Sequence, residues 1–175
     1  MGWFSPVKGS YPSLAQVDKT LPIGGNFAVE RGMIVALGAD SDGKPVWNMP
    51  AGTAADKILY VALTDSTDPT AGFAGTAFDP KGGGTPAITA IDLAQDGEYE
   101  TSVFDLSKTY QIGDEIMAGA DGKITKGSGT TIGYVTAVPT SRWINNAVAF
   151  PKDADRRLAA RTGAREKVLR FKTAL

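Results

Sequence analysis

A glycine-punctuated β-unit occurs twice in this chain, and that repetition restricts the fold more than any other feature. Residues 112–138, IGDEIMAGADGKITKGSGTTIGYVTAV, divide into three expected strands: Glu115–Ala118, Lys123–Thr125 and Thr131–Val138. Turns at Gly119-Ala-Asp-Gly122 and Gly127-Ser-Gly129 separate them. Asp-Gly between alternating segments signals a hairpin, because glycine accepts the positive φ that tight primed turns require. The earlier stretch Arg31–Leu63 repeats the pattern. Gly32 precedes the apolar Met33-Ile-Val, an Asp42-Gly43-Lys44 turn follows, and a Tyr60-Val strand closes the unit as Tyr134-Val135 does later. Two copies of one small β-unit, with no catalytic residues between them, predict a structural module.

The rest of the body extends this all-strand reading. Further strands are expected near Met33–Leu37, Val46–Asn48, Ile58–Thr64, Ala87–Leu93, Tyr99–Phe104 and Trp143–Phe150, each rich in β-branched or aromatic residues and bounded by turn formers. Trp47, Trp143, Tyr60 and Tyr134 lie in these strands and are expected to be core residues. Asp65–Pro86 is polar and glycine-rich, and reads as a projecting loop or hairpin. Residues 1–20 carry Trp3, Phe4 and Tyr11 without periodicity, so an extended arm is expected, its aromatics docking on the body or on a neighbour. One short helix is expected around Arg156–Arg161, with Asp153 and Asp155 before it and Gly163 after it. Val168–Ala174 alternates, which predicts a closing strand with Leu169 and Phe171 inward. The expected organisation is therefore an arm (1–20), a mainly β body forming a small barrel of short antiparallel strands (21–150, with a loop at 65–86), and a basic segment ending in a strand (151–175).

Composition removes whole classes of chemistry. The chain has no Cys and no His. Disulfides, thiolate nucleophiles, imidazole metal ligands and Ser-His-Asp triads are thereby excluded. No cofactor is expected. No apolar run approaches the roughly 20 residues that cross a bilayer. The opening residues lack the basic and apolar regions of a signal peptide, and Pro6 stands where a myristoylation signal wants Ser or Thr. Charge is divided unevenly: residues 151–175 hold eight Lys or Arg against three acids, while residues 1–150 hold ten against sixteen. An acidic body with a basic segment suits an acidic protein surface or head-to-tail contact between subunits. Nucleic acid is less favoured, since Phe171 is the only aromatic in that segment.

Individual motifs weigh little as catalytic sites. Gly127-Ser-Gly129-Thr-Thr-Ile-Gly133 approaches a dinucleotide fingerprint, but the last glycine is one residue late and a strand follows where a helix should start. Lys81-Gly-Gly-Gly84-Thr85 resembles a phosphate loop in composition only. Asp40-Ser-Asp42-Gly43 has part of a calcium loop but continues with Lys44-Pro45, so a structural turn is the better reading and a weak ion site the outsider. Ser5-Pro-Val-Lys8 fits S-x-x-K without its companion motifs. Asp96, Glu98 and Glu100 share one strand face; a glycosidase-like carboxylate pair is conceivable, but a solvated edge that blocks unwanted pairing is expected. Catalytic and metal-binding residues are accordingly expected to be none.

Five segments carry a likeness to a known family: Phe27-Ala-Val-Glu-Arg-Gly32-Met-Ile-Val, Ile58–Leu63, Tyr110-Gln-Ile-Gly-Asp114, Gly119-Ala-Asp-Gly-Lys-Ile-Thr125 and Gly133-Tyr-Val-Thr136. In their order the chain resembles the head decoration (cement) proteins of tailed bacteriophages, the lambda-like β-tulip family, over roughly residues 22–138. The aromatic arm, the 65–86 insertion and the basic 151–167 segment depart from that pattern. The resemblance implies a non-catalytic virion protein, made in the host cytoplasm and bound to the capsid exterior. It would stabilise the expanded head against internal DNA pressure. Its partners would be the major capsid protein and further copies of itself, as a trimer or alternatively a dimer, with no nucleic acid and no membrane. Trp3, Phe4 and Tyr11 in the arm and Arg156, Arg157, Arg161 and Arg165 in the basic segment are the expected contact residues. Deleting residues 1–15 is expected to weaken binding and spare the fold. A tail or baseplate β-module, and a glycan hydrolase using Glu98 and Glu100, are the rival readings.

Overall fold

The structure, a computed structural model, describes residues 4–7, 19–56, 58–63, 87–92, 97–143 and 165–174. Among these residues all regular elements are strands, as the turn-rich sequence predicts. They are β1 (Phe4–Pro6), β2 (Lys19–Pro22), β3 (Ile34–Ala39), β4 (Pro45–Asn48), β5 (Leu59–Ala62), β6 (Ala87–Ile91), β7 (Glu98–Thr101), β8 (Glu115–Ala118), β9 (Ile124–Thr125), β10 (Thr131–Trp143) and β11 (Arg165–Thr173). The expected helix near Arg156 and the 65–86 loop lie outside the described residues. The strand expected at Trp143–Phe150 does not begin at Trp143, which instead ends β10.

The strands form two antiparallel sheets that repeat one topology. The first runs β2-β6-β5-β3-β4, and the second runs β7-β11-β10-β8-β9 with β1 added beyond β7. In chain order the two five-strand paths are identical, so the duplication extends well beyond the three-strand unit visible in the sequence. Both sheets also curl in the same way: Ile23, just after β2, makes a parallel bridge to Trp47 of β4, and Phe104, after β7, makes one to Ile124 of β9. Each sheet thus bends into a small half-barrel.

Local chemistry explains why both units start and turn alike. The amide of Met33 donates to the Glu30 carbonyl, and that of Asp114 to Gln111, with Gly32 and Gly113 at φ of 91° and 90° in the third position of each turn. Each hairpin then closes through a three-residue loop. Asp40 and Lys44 bracket the first loop and Gly119 and Lys123 the second, with left-handed Gly43 and Gly122 in last place. The Asp40 carboxylate accepts from the amides of Asp42 and Lys44, at 2.9 and 2.8 Å, so it organises its own turn.

The interior has two parts. Ile23, Val29, Val35, Trp47, Tyr60, Ala62, Ile88 and Ala90 fill the first half-barrel. Trp47 is fully buried, its ring lies 4.9 Å from that of Tyr60 at a tilt of 57°, and its indole N–H donates to the Ile88 carbonyl at 3.0 Å. The second cluster holds Phe104, Tyr110, Ile116, Ile124, Val135, Leu169 and Phe171 from the second half-barrel, and adds Ile34, Leu59, Val61 and Ile91 from the first. Since successive strand residues face opposite sides, β5 buries Tyr60 and Ala62 inside its own unit and Leu59 and Val61 against the other. The second unit therefore packs onto the outer face of the first. Burial of each such aliphatic side chain contributes about 1.5–3 kcal/mol.

The closing strand forms as predicted, with Leu169 and Phe171 fully buried. It is longer than expected and central rather than terminal, lying between β7 and β10. Val168, assigned by alternation to the outer face, is also buried. The described parts of the 1–20 arm dock on the body. They are β1, which extends the second sheet, and β2, which starts the first.

Candidate interaction surfaces

Of the residues expected to contact a partner, Phe4 is shown to be structural. Its side chain is buried and its ring lies 5.3 Å from that of Tyr99 at an interplanar angle of 16°, with Phe171 behind Tyr99 at 5.9 Å. β1 pairs Phe4 with Thr101, and the Phe4 carbonyl accepts from Arg31 at 3.4 Å. The aromatic docks on its own domain, so removing residues 1–15 removes a strand and a core side chain. The expectation that this deletion spares the fold is corrected accordingly. Trp3, Tyr11, Arg156, Arg157 and Arg161 lie outside the described residues.

Arg165 begins β11, with its backbone paired to Trp143. The described ends on either side of residues 144–164, Trp143 and Arg165, are therefore paired partners. On the flanks, β8 accompanies β10 only from Thr131 to Tyr134, and β7 accompanies β11 only from Leu169 to Lys172. From Thr140↔Val168 to Trp143↔Arg165, β10 and β11 pair only with each other among the described strands. That ribbon advances about 3.3 Å per residue. Register shifts between Val135 and Thr140 surround Pro139, whose missing N–H suits a bulge.

The acidic face of β7 is not a solvated edge. β1 flanks one side and β11 the other. Glu100 is buried, and its carboxylate accepts from Arg170 Nε at 2.8 Å and from Arg170 Nη2. Glu98 accepts from the Thr136 hydroxyl at 2.7 Å. The two carboxylates are held by cross-strand partners that sequence order places about 40 to 70 residues away. Asp96 lies outside the described residues.

The loop between β7 and β8 is fastened by carboxylates. Asp105 accepts from the amide and hydroxyl of Ser107, which together hold it below the usual carboxylate range. Asp114 accepts from Lys126 Nζ at 2.7 Å and from the Gln111 amide at 2.6 Å, and is likewise depressed, chiefly by the lysine. The buried Tyr110 hydroxyl donates to the Asp105 carbonyl at 3.1 Å; burial, then the Asp105 charge, push its pKa up to about 12. In the first unit, Asp56 accepts from the amides of Ala51 and Gly52. Each acid completes a loop, and no group of three or more metal-ligating side chains occurs among the described residues.

One surface row could not be read from the sequence. Tyr134 of β10 lies directly between Glu115 of β8 and Lys172 of β11. All three are exposed, Tyr134 by 42%, and Ile112 stands exposed beside them in the turn whose Gly113 amide bonds to Val135. The core position expected for Tyr134 is thus corrected. The likeness of Tyr60-Val61 to Tyr134-Val135 is out of register by one residue. Gly32 donates to Ala62 and Gly113 donates to Val135, so Ala62 matches Val135 and Val61 matches Tyr134. A one-residue offset on a strand reverses the face. Tyr60 points inward and Tyr134 outward.

No family model, curated protein or solved structure matches this chain.

Proposed function

We propose that this chain is a non-catalytic capsid decoration protein of the lambda-like β-tulip kind, bound to the exterior of a tailed-phage head as a homo-oligomer, a trimer or alternatively a dimer, and clamping the major capsid protein. One observation carries the reading: two stacked half-barrels, joined through a shared core, hold a paired β10–β11 ribbon whose strands are linked in sequence by residues 144–164, which include Arg156, Arg157 and Arg161. A stiff body carrying a charged segment suits repeated weak contacts, which gain avidity on a symmetric lattice. The basic segment, with Arg156, Arg157, Arg161 and Arg165, is the proposed contact with an acidic capsid surface. Trp3 and Tyr11 remain proposed contacts of the opening residues, whereas Phe4 is committed to the core.

The test is quantitative mass spectrometry of purified particles. A copy number comparable to that of the major capsid protein is expected, together with loss of capsid occupancy when Arg156, Arg157 and Arg161 are changed to Glu. Absence from particles overturns the proposal, and signal confined to tails transfers the chain to the tail or baseplate reading. The hydrolase reading loses ground physically, because Glu100 is buried against Arg170 instead of facing an accessible cleft.

A further inference from the structure

The contact between the two units has an unused counterpart of each of its halves, one on each unit. Within the chain, the Gly119–Lys123 turn of the second unit seats at the start of β3. The Ile34 amide donates to the Gly122 carbonyl at 2.7 Å, and a Cβ on Gly122 would stand 3.0 Å from the Ile34 carbonyl and 3.4 Å from the terminal methyls of Met33 and Met49. Beside this turn the row Ile34–Val61–Ile91, directly paired across β3, β5 and β6, is buried in the shared core.

Each half has an exact topological counterpart. The counterpart of the seated turn is Asp40–Lys44, where a Cβ on Gly43 would meet nothing within 4 Å. Its Asp42 and Lys44 side chains are 73% and 74% exposed. The counterpart of the buried row is Glu115–Tyr134–Lys172, paired across β8, β10 and β11 in the same register and exposed. The Val135 amide donates to Asp114 as the Ala62 amide does to Met33. Ladder alternation then turns the Glu115 amide away from β10, as it turns the Ile34 amide toward Gly122.

We infer that copies of this chain associate head to tail, the Asp40–Lys44 turn of one copy seating on the Glu115–Tyr134–Lys172 row of the next. The chemistry differs from the internal version in the direction that exchange requires. A row buried permanently is aliphatic, whereas one exposed in the free subunit needs a charged rim around an aromatic anchor. Both surfaces carry charges of each sign, Asp42 and Lys44 on the turn and Glu115 and Lys172 on the row, so opposite charges can be matched across the contact. A head-to-tail contact of this kind is heterologous, and it closes into a ring or continues as a filament. The inference goes beyond the capsid reading and does not depend on it.

The absence of Cys makes the test direct. Ser41→Cys and Tyr134→Cys variants, mixed in equal amounts and oxidised, should give a crosslinked dimer containing one of each, while either variant alone should give little. A chain with both substitutions should give a ladder. In sedimentation velocity, the wild type should gain mass with concentration and Tyr134→Lys should lose that gain. Thermal melting of Tyr134→Lys at the wild-type temperature excludes misfolding as the cause. A wild type monomeric at all concentrations, or crosslinking of Tyr134→Cys mainly with itself, overturns the inference. Particle stoichiometry judges the capsid reading separately.

Discussion

Gly43 and Gly122 hold the same place in two equivalent turns, at φ of 78° and 74°, yet only Gly122 is pressed against another part of the molecule. The pair separates backbone strain from packing. Alanine at Gly43 should cost about 1–2 kcal/mol, the penalty of a left-handed side-chain-bearing residue. Alanine at Gly122 bears the same penalty and crowds the Ile34 carbonyl, for a total of about 3 kcal/mol. Urea denaturation of both variants measures the difference. Equal losses would show that the inter-unit seat yields freely.

Phe4 should behave as a core residue. Phe4→Ala is expected to destabilise by about 3 kcal/mol, the lower end for a buried phenylalanine, because β1 lies at a sheet edge. Deleting residues 1–15 should lower stability at least as much. Denaturant melts that match the wild type would restore the expectation that this deletion spares the fold.

Glu100 and Arg170 form an ion pair in which the Glu100 side chain is 8% exposed and the Arg170 side chain 31%. Arg170→Met should cost about 2 kcal/mol, since it takes the arginine's charge and two donors away from a buried acid, with some relief from the arginine's contact with water. The double variant with Glu100→Gln should recover part of this loss. A coupling energy of about 1 kcal/mol or more in the double-mutant cycle is the expected reading.

Asp114 links the fold to acid. Its carboxyl is held low, first by Lys126 and then by the Gln111 amide. A carboxylate depressed in the fold contributes stability that is present above its unfolded pKa and lost as pH falls through the folded value. Lys126→Met should raise the Asp114 pKa in an NMR titration and move acid unfolding to higher pH.

Tyr110 sets the alkaline counterpart. With its pKa pushed to about 12, the folded phenol holds its proton more tightly than the unfolded one. The resulting stability is complete below about pH 10 and is lost as pH rises from there to about 12. Far-ultraviolet dichroism against pH should show this loss in the wild type, and Tyr110→Phe should diminish it.

Much of the local architecture is legible in the sequence because its causes are local. The Asp42-Gly43 and Asp121-Gly122 pairs announce positive φ at their glycines, and the Leu169-Arg-Phe171 alternation announces a half-buried strand. The misreadings share another origin. Glu98 and Glu100 look like edge charges until Thr136 and Arg170 arrive from other strands. Tyr60 and Tyr134 look equivalent until the hydrogen-bond register separates them by one residue.

By itself, then, the sequence determined two β-units, their turn chemistry and the inward residues of the last strand, all consequences of interactions spanning a few residues. Only the tertiary structure decided that the repeat comprises five strands, that β11 lies between β7 and β10, and that Ile34–Val61–Ile91 is covered while Glu115–Tyr134–Lys172 is not. Those outcomes depend on which distant strands pair and in what register. Period-two alternation says that a strand has two faces, but the pairing determines what each face meets.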